Sequence, residues 1–282
     1  MKITFKQFLE AKIKNYDSTP ITDGDALIKA IEENCSQAIN NIRTKRKSGA
    51  IWRGFRREVI SGIYDPGSGQ RASENTANFY TVFFDENPKN RDWPKRSRSF
   101  ICSTDELTAA NFGHQGAATL VLPFDNTSIG VVNETDVWDK SIPFTLKFNG
   151  IKKVFTNEIE RFNFLFSDFY ARIDNEFTSL KQTMQDIRDN PGQIYKSLTS
   201  KGDVNISDFS VEEDTEEEDS FKQSVADQFA DQLTEMYNLS KIGCTLTKIN
   251  NLDVKSSEVW FQGKCILVSD ADLNKIMRHF KL

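Results

Sequence analysis

The sequence has few of the features that would place a chain of this length in a catalytic class directly. Its 282 residues include two histidines, four cysteines, seven prolines and 14 glycines. It contains no G-x-G-x-x-G, G-x-x-x-x-G-K-[ST], G-x-S-x-G or H-E-x-x-H pattern, which removes support for the common nucleotide-binding, serine-hydrolase and zinc-peptidase classes. Because histidine is so scarce, catalysis by carboxylates is favoured by elimination.

Cysteines and long apolar runs are also too few to support several other classes. The four cysteines form no C-x-x-C pair, so we expect reduced thiols, no disulfide and no metal site. No apolar run approaches the roughly 20 residues that cross a bilayer, and no secretory signal is recognisable, which predicts a soluble chain without a membrane partner. The net charge of −5 argues against nonspecific nucleic-acid binding.

What is present indicates a folded α+β protein that begins with helices. Apolar residues make up 38% of the chain and charged residues 27%, as in globular domains. Residues 1–14 have apolar side chains at helical spacing, and a second helix is predicted from Asp23 or Asp25 to the basic cluster at 43–47. These patterns predict an N-terminal helical segment at residues 1–48.

The remainder, residues 49–282, reads as one strand-rich domain with a helical insertion at about 152–240. Strand-like runs are separated by polar turns; they lie at 50–55, 78–84, 99–104, 118–124, 128–132, 244–249, 258–261 and 264–268. Between them, the spacing of apolar residues predicts a long helix over 156–187 and a second helix over 221–237. An acidic run at 212–219 predicts a solvated linker.

Three segments contain residues suited to chemistry. Arg53 lies inside an apolar strand, where its fork of donors suits a phosphate, although strand alternation could instead point it to solvent. In residues 95–113, hydroxyl side chains surround an apolar strand and can orient a ligand or a carboxylate. Glu258 begins a strand beside Val259 and Trp260, where partial desolvation would prepare a carboxylate for catalysis, unless it is an ordinary edge-strand glutamate.

The order of these segments resembles the arginine, serine, glutamate pattern of the mono-ADP-ribosyltransferase family. The pattern is an arginine in a first strand, a hydroxyl-rich strand followed by A-x-x-F (Ala109 to Phe112), and a glutamate in a late strand. The resemblance runs from about Ile51 to Val268 and skips the insertion. Residues 71–80 and 94–104 resemble the phage-type members of the family. The implied fold is a β-rich core of two packed sheets.

The resemblance also implies a substrate and roles for individual residues. The enzyme would cleave NAD+ without a metal and transfer ADP-ribose to a protein acceptor, which we expect to be a host protein. Arg53 would contact the NAD+ phosphates or the nicotinamide-side ribose, and Glu258 would stabilise the oxocarbenium-like ion. The family carries S-T-S where this chain has Cys102, Ser103 and Thr104, so either Ser99 or Ser103 could take the serine role. The remaining residues expected to line the NAD+ site are Arg71, Asn75, Ser99, Cys102, Ser103 and Thr104.

Ser256 departs from the pattern, since the family has Glu or Gln two residues before the catalytic glutamate. A hydroxyl cannot act as a general base towards guanidinium as a carboxylate can, so arginine is not a safe choice of acceptor.

The first residues resemble the helix that directs internal proteins into phage heads, which suggests a location in the virion or the host cytoplasm. An NAD+ glycohydrolase and a noncatalytic phage head or host-interaction protein remain alternatives. The enzyme interpretation requires Arg53, the 99–104 strand and Glu258 to line one cleft.

Overall fold

The fold is taken from a computed structural model, which describes residues 16–69, 78–132, 137, 141–158, 179–199, 209–212 and 215–282. The helix predicted for residues 1–14, residues 159–178 of the predicted long helix and two positions of the acidic run lie outside these ranges.

Strands and helices are numbered in chain order over the described ranges. The strands are β1 (Asp17–Pro20), β2 (Ile51–Gly54), β3 (Gly62–Asp65), β4 (Phe100–Ser103), β5 (Ala118–Pro123), β6 (Ser128–Val132), β7 (Ser141–Phe148), β8 (Ile151–Glu158), β9 (Cys244–Lys248), β10 (Glu258–Phe261) and β11 (Cys265–Val268). The helices are α1 (Gly24–Asn34), α2 (Ser36–Lys45), α3 (Asn78–Glu86), α4 (Glu106–Ala110), α5 (Leu180–Asp189), α6 (Pro191–Thr199), α7 (Glu216–Met236) and α8 (Asp270–Phe280).

The described residues fall into two compact units. The first comprises residues 16–69, 92–132 with 137, and 243–282; the second comprises 78–91, 141–158, 179–199, 209–212 and 215–242. The predicted insertion at 152–240 therefore shares its unit with two further stretches of chain, 78–91 and 141–151. The helices of the predicted segment 1–48 that the structure describes, α1 and α2, belong to the first unit.

The first unit is built on one antiparallel sheet of nine strands. Its strand order is β1-β3-β11-β5-β2-β4-β10-β6-β9. Strands β10 and β11 are buried along their whole lengths, as apolar runs bounded by turns predict. A single residue pair, Trp52 with Ser103, joins β2 to β4 and so links five strands on one side to four on the other. The resemblance implied a core of two packed sheets, whereas the described strands of the first unit form one continuous hydrogen-bonded sheet.

Helices α1, α2 and α8 contribute to the same apolar core as the strands. Asp23 caps α1 by accepting hydrogen bonds from the backbone N–H groups of Asp25 and Ala26, which accounts for where the helix begins. The core cluster combines helix and strand side chains, among them Leu27, Ile31, Ile39, Ile42, Leu122, Ile266, Val268, Ile276 and Phe280. The strand-rich half and the first helices therefore form one core.

The second unit contains the β7–β8 hairpin and helices α3, α5, α6 and α7. The apolar stripe predicted for α7 is buried at every position, from Phe221 through Val225, Phe229 and Leu233 to Tyr237. The hydroxyl of Thr215 caps this helix by accepting a hydrogen bond from the N–H of Glu218. Four acidic residues follow in the first turn, where they interact favourably with the helix dipole. Part of the predicted acidic linker is therefore the start of a helix.

The strand predicted at 78–84 is wrong, because those residues belong to the helix α3. Phe83 and Phe84 are both buried, and their rings make edge contacts with Tyr237 at centroid distances of 5.1 and 5.4 Å. A short apolar run suits a buried strand and a buried helix equally well, so tertiary packing decides between them. None of the helices in the described ranges is long and apolar enough to cross a membrane.

Candidate functional site

The three segments singled out in the sequence lie on neighbouring strands of the nine-stranded sheet. Arg53 is on β2, the hydroxyl segment forms β4, and Glu258 begins β10, which pairs with β4. Ser103 is the residue directly opposite Glu258, and Trp52 is directly opposite Ser103 on the other side. The fold thus brings together strands that are separated by about 50 and 150 residues along the chain.

Arg53 and Glu258 nevertheless lie on opposite faces of these strands. Directly opposed residues share a face and successive residues alternate, so Trp52, Ser103 and Glu258 are on one face and Arg53 is on the other. The guanidinium of Arg53 accordingly rests over the ring of Phe100, 5.0 Å from its centroid. The requirement that Arg53 and Glu258 line one cleft is therefore not met.

The surroundings of Arg53 are aromatic on two sides. Besides Phe100, the ring of Phe55 lies 5.1 Å from the guanidinium carbon. The Nη1 group donates a hydrogen bond to the backbone carbonyl of Ile101. The buried Nε has no hydrogen-bond partner among the residues that the structure describes. Arg53 is thus a half-buried cation whose donor capacity is only partly used, a setting that suits an anion.

Glu258 meets a different arginine, Arg96. The Nη1 of Arg96 lies 2.7 Å from Oε1 of Glu258, and the two side chains are 6% and 10% exposed. The guanidinium of Arg96 also lies 4.9 Å from the centroid of the Trp260 ring. This close, desolvated ion pair combines a charge-assisted hydrogen bond with a cation–π contact.

The hydroxyl strand divides its candidate residues between the two faces. Ser103 shares the face of Glu258, and its Oγ accepts a hydrogen bond of 3.0 Å from the N–H of Asp105. Cys102 lies on the opposite face, directly across from Val259. Of the alternatives for the serine role, Ser103 therefore stands beside the carboxylate, whereas Cys102 does not.

Ser99 and Thr104 have structural partners. The Oγ of Ser99 donates to the carbonyl of Lys95 at 2.6 Å. Thr104 and Ser257 hold each other, since the N–H of Thr104 donates to the Ser257 carbonyl and the Thr104 hydroxyl accepts from the Ser257 N–H. These bonds fix the approach of the chain to Glu258. Ser256, just before it, is exposed and has a positive φ of 50°.

The remaining candidates and the helix after the hydroxyl strand complete this region. Arg71 and Asn75 lie outside the described residues. Asp105 caps α4 by accepting from the N–H of Leu107 at 3.1 Å, which explains why the strand is followed by a helix. Gly54, at the end of β2, approaches α4 so closely that a Cβ there would lie 2.2 Å from the Ala109 carbonyl oxygen. Strand β2 and α4 therefore lie too close together for a side chain at position 54.

Two buried thiols lie in the interior of the same unit. Burial raises the pKa of the Cys265 thiol well above its usual range, and the Arg53 cation partly opposes that shift. Burial likewise raises the pKa of Cys35. All four cysteines are buried thiols outside any disulfide, and over the described ranges no group of three His, Cys, Asp or Glu side chains is arranged to hold a metal ion.

A polar surface cleft of about 710 Å³ lies in the first unit near Trp93. Its lining residues include Asp65, Asp92, Asp125 and Gln262, and they include neither Arg53 nor Glu258.

Sequence reasoning missed Arg96, because nothing in the run of basic residues around it distinguishes a buried arginine from its exposed neighbour Arg98.

Comparison of the chain with protein-family models, with curated proteins and with solved structures finds no match.

Proposed function

We propose that this chain is a mono-ADP-ribosyltransferase that uses NAD+ as its substrate and Glu258 as its catalytic carboxylate. One observation carries the proposal: the strands that bear the arginine, hydroxyl and glutamate motifs are neighbours in one sheet, and Ser103 lies directly opposite Glu258. Arg53 is left out of the proposed site, because it lies on the face opposite Glu258 and does not line one cleft with it.

The chemistry asked of Glu258 is electrostatic. The bond between the ribose C1′ and the nicotinamide nitrogen breaks, and its electron pair leaves with nicotinamide. The positive charge that develops on the ribose is stabilised by a carboxylate held beside it. A nucleophile of the acceptor then forms a bond to C1′ and loses its proton to solvent or to a base. Glu258 is 9% exposed, so its charge acts in partly desolvated surroundings.

The proposed acceptor is a protein of the host cell of a phage. Ser256 occupies the position from which the family's carboxylate or amide acts on the acceptor, and its side chain is exposed. Because a hydroxyl is a poor base towards guanidinium, the proposal does not extend to arginine as the modified residue. Transfer to water, which would make the chain an NAD+ glycohydrolase, uses the same site.

A noncatalytic protein with this fold is the second candidate, and the position of Arg53 favours it. Its guanidinium is over Phe100, on the face of the sheet opposite Glu258. Arg53 therefore does not lie beside Glu258, as an arginine that binds the NAD+ phosphates would have to do. The noncatalytic candidate predicts no NAD+ binding by calorimetry at millimolar ligand.

The test is nicotinamide release from NAD+ by the purified chain, with and without bacterial lysate. We expect Glu258→Gln to lower the rate by at least about 100-fold, as loss of a charge-stabilising group does. Glu33→Gln is the matched control, since Glu33 is an exposed helix residue that forms an ion pair with Lys29 one turn away. Release that is undiminished in Glu258→Gln contradicts the proposal. Label from NAD+ on lysate proteins identifies a transferase, and free ADP-ribose alone identifies a glycohydrolase.

A further inference from the structure

Arg96 is buried to an extent that is unusual for a cation. Only 5% of the residue is exposed. A guanidinium in such surroundings is costly unless it is paired, and Glu258 supplies a carboxylate at 2.7 Å. The pair is thus built into the sheet and is not a surface contact.

The segment that carries Arg96 is fastened residue by residue to β10 and the turn after it. The ring of Trp93 stacks on Trp260 with centroids 5.8 Å apart, and the carbonyl of Pro94 accepts a 2.9 Å hydrogen bond from the Trp260 Nε1. The N–H of Lys95 donates to the side-chain carbonyl of Gln262 at 3.2 Å. Arg96 follows with its bond to Glu258.

These contacts fix the position of Arg96 relative to Glu258. Trp260 is fully buried, and its ring supports the guanidinium of Arg96. Arg96 donates to Oε1 of Glu258, whereas Oε2 accepts no hydrogen bond from the residues within the described ranges. One carboxylate oxygen is therefore anchored, and the other keeps its capacity to accept a hydrogen bond from a ligand.

We propose that Arg96 is a positioning residue for Glu258, which holds one carboxylate oxygen so that the other is presented to the ribose of NAD+. The inference rests on the proposed function, since it assigns Arg96 a role in that reaction. Arg96 acts through Glu258 and does not itself contact the substrate. Misplacement of a catalytic group by about 1 Å costs on the order of 100-fold in rate, so loss of the anchor lowers kcat. The KM for NAD+ stays within about twofold, because substrate contacts are retained.

The experiment compares three variants by steady-state nicotinamide release. Arg96→Gln is expected to lower kcat by about 10-fold to 100-fold, and Arg96→Lys is expected to recover part of that loss, because an ammonium can still bond one oxygen. Arg98→Gln is the matched control, since Arg98 is exposed in the same 3-10 turn, and its kcat should equal that of the wild type. Should Arg96→Gln not fold, Arg96→Lys retains the buried charge and carries the comparison.

The decisive measurement is a double-mutant cycle in kcat. If Arg96 acts only through Glu258, then Arg96→Lys has no further effect on the residual rate of Glu258→Gln. Equal kcat in the wild type and both Arg96 variants overturns the inference, as does a raised KM with unchanged kcat, which would make Arg96 a substrate-binding residue. Additive losses in the cycle overturn it too. A wild-type chain that releases no nicotinamide overturns the proposed function together with this inference, which separates the two failures.

Discussion

Gly130 lies directly opposite Trp260 in the β6–β10 pair, and a Cβ on Gly130 would sit 2.3 Å from two carbons of the Trp260 indole. The indole therefore occupies the space that a side chain at position 130 would need. It is also the ring on which Trp93 stacks and over which Arg96 lies. Because Gly130 has no side chain, the Trp260 indole can occupy the position from which it supports the Arg96–Glu258 pair.

Replacing Gly130 by alanine is expected to lower the free energy of unfolding by about 1–3 kcal/mol, the usual cost of overpacking a buried site. The indole is fully buried, so any shift away from the new methyl group must displace the side chains packed around it. Urea denaturation followed by far-UV circular dichroism measures the change. Gly192→Ala is the control, because no described atom outside its own turn of helix lies within 4 Å of a Cβ there, and its helical position favours alanine by up to about 1 kcal/mol. Equal midpoints for wild type and Gly130→Ala would contradict the packing argument.

Much of the strand content could be predicted, because apolar runs bounded by polar turns are a local signal. The runs that became β4, β5, β10 and β11 were each recognisable by themselves. The stripe on α7 was equally clear, since its burial follows a helical period. The helix α3 could not be predicted, because its short apolar run fits either element and Tyr237, more than 150 residues away, selects the helix.

The sequence could place the three motifs on strands, but it could not predict which way their side chains face. Because successive side chains of a strand point to opposite faces, the sequence predicts that Trp52 and Arg53 face opposite ways. Which of them faces Glu258 depends on the register between β2 and β4, and that register is set by tertiary packing. Arg96 was missed for a related reason: its burial depends on Trp260, which lies more than 160 residues further along the chain. A sequence pattern shows the periodicity of apolar residues within one element, whereas strand register and contacts between distant residues depend on the fold.

Two glutamine side chains of α7 hold the edge of β7 as a neighbouring strand would. The amide of Gln232 both accepts from the N–H and donates to the carbonyl of Thr145, and Gln228 makes the same pair of bonds with Lys147. Gln232→Ala is expected to cost about 1–3 kcal/mol, because it leaves part-buried backbone groups unpaired. Gln228→Ala should cost less, since its bonds are exposed.

Hydrogen exchange at the amides of Thr145 and Lys147 checks this prediction. Each glutamine variant should accelerate exchange at its own partner more than at the other. Gln185→Ala serves as the control, because the Gln185 amide donates to the exposed carboxylate of Asp189 within the same helix and not to a strand. Unchanged exchange at both amides would show that the strand edge does not depend on the glutamines.

The cap of α1 should make stability depend on pH in the acid range. Hydrogen bonds from the N–H groups of Ala26 and Asp25 lower the pKa of Asp23 below its ordinary value of 3.8. A carboxylate with a depressed pKa contributes stability that is present above the ordinary value and lost as the pH falls through the folded value. We therefore expect the stability of the wild type to fall below pH 3.8 more steeply than that of Asp23→Ser.

Serine keeps a capping acceptor but does not titrate, so Asp23→Ser isolates the charge, while Asp23→Ala removes the cap at every pH. Thermal unfolding of the three proteins between pH 2 and pH 6 measures the difference. The prediction fails if the pH dependence of Tm is the same for wild type and Asp23→Ser.

The buried thiols should resist modification until the protein unfolds. Burial raises the pKa values of Cys35 and Cys265, and the thiolate is the form that reacts. Cys35 is further held by a 3.3 Å hydrogen bond from its thiol to the Leu122 carbonyl. We expect a chromogenic disulfide reagent at pH 8 to react slowly with the native protein and to titrate four thiols in guanidinium chloride. Thr245→Cys, an exposed position on β9, should add one fast-reacting thiol and so shows that the reagent is active. Rapid reaction of the native wild type would mean that this core opens on the time scale of the assay, because thiols with raised pKa values become reactive only when they reach solvent.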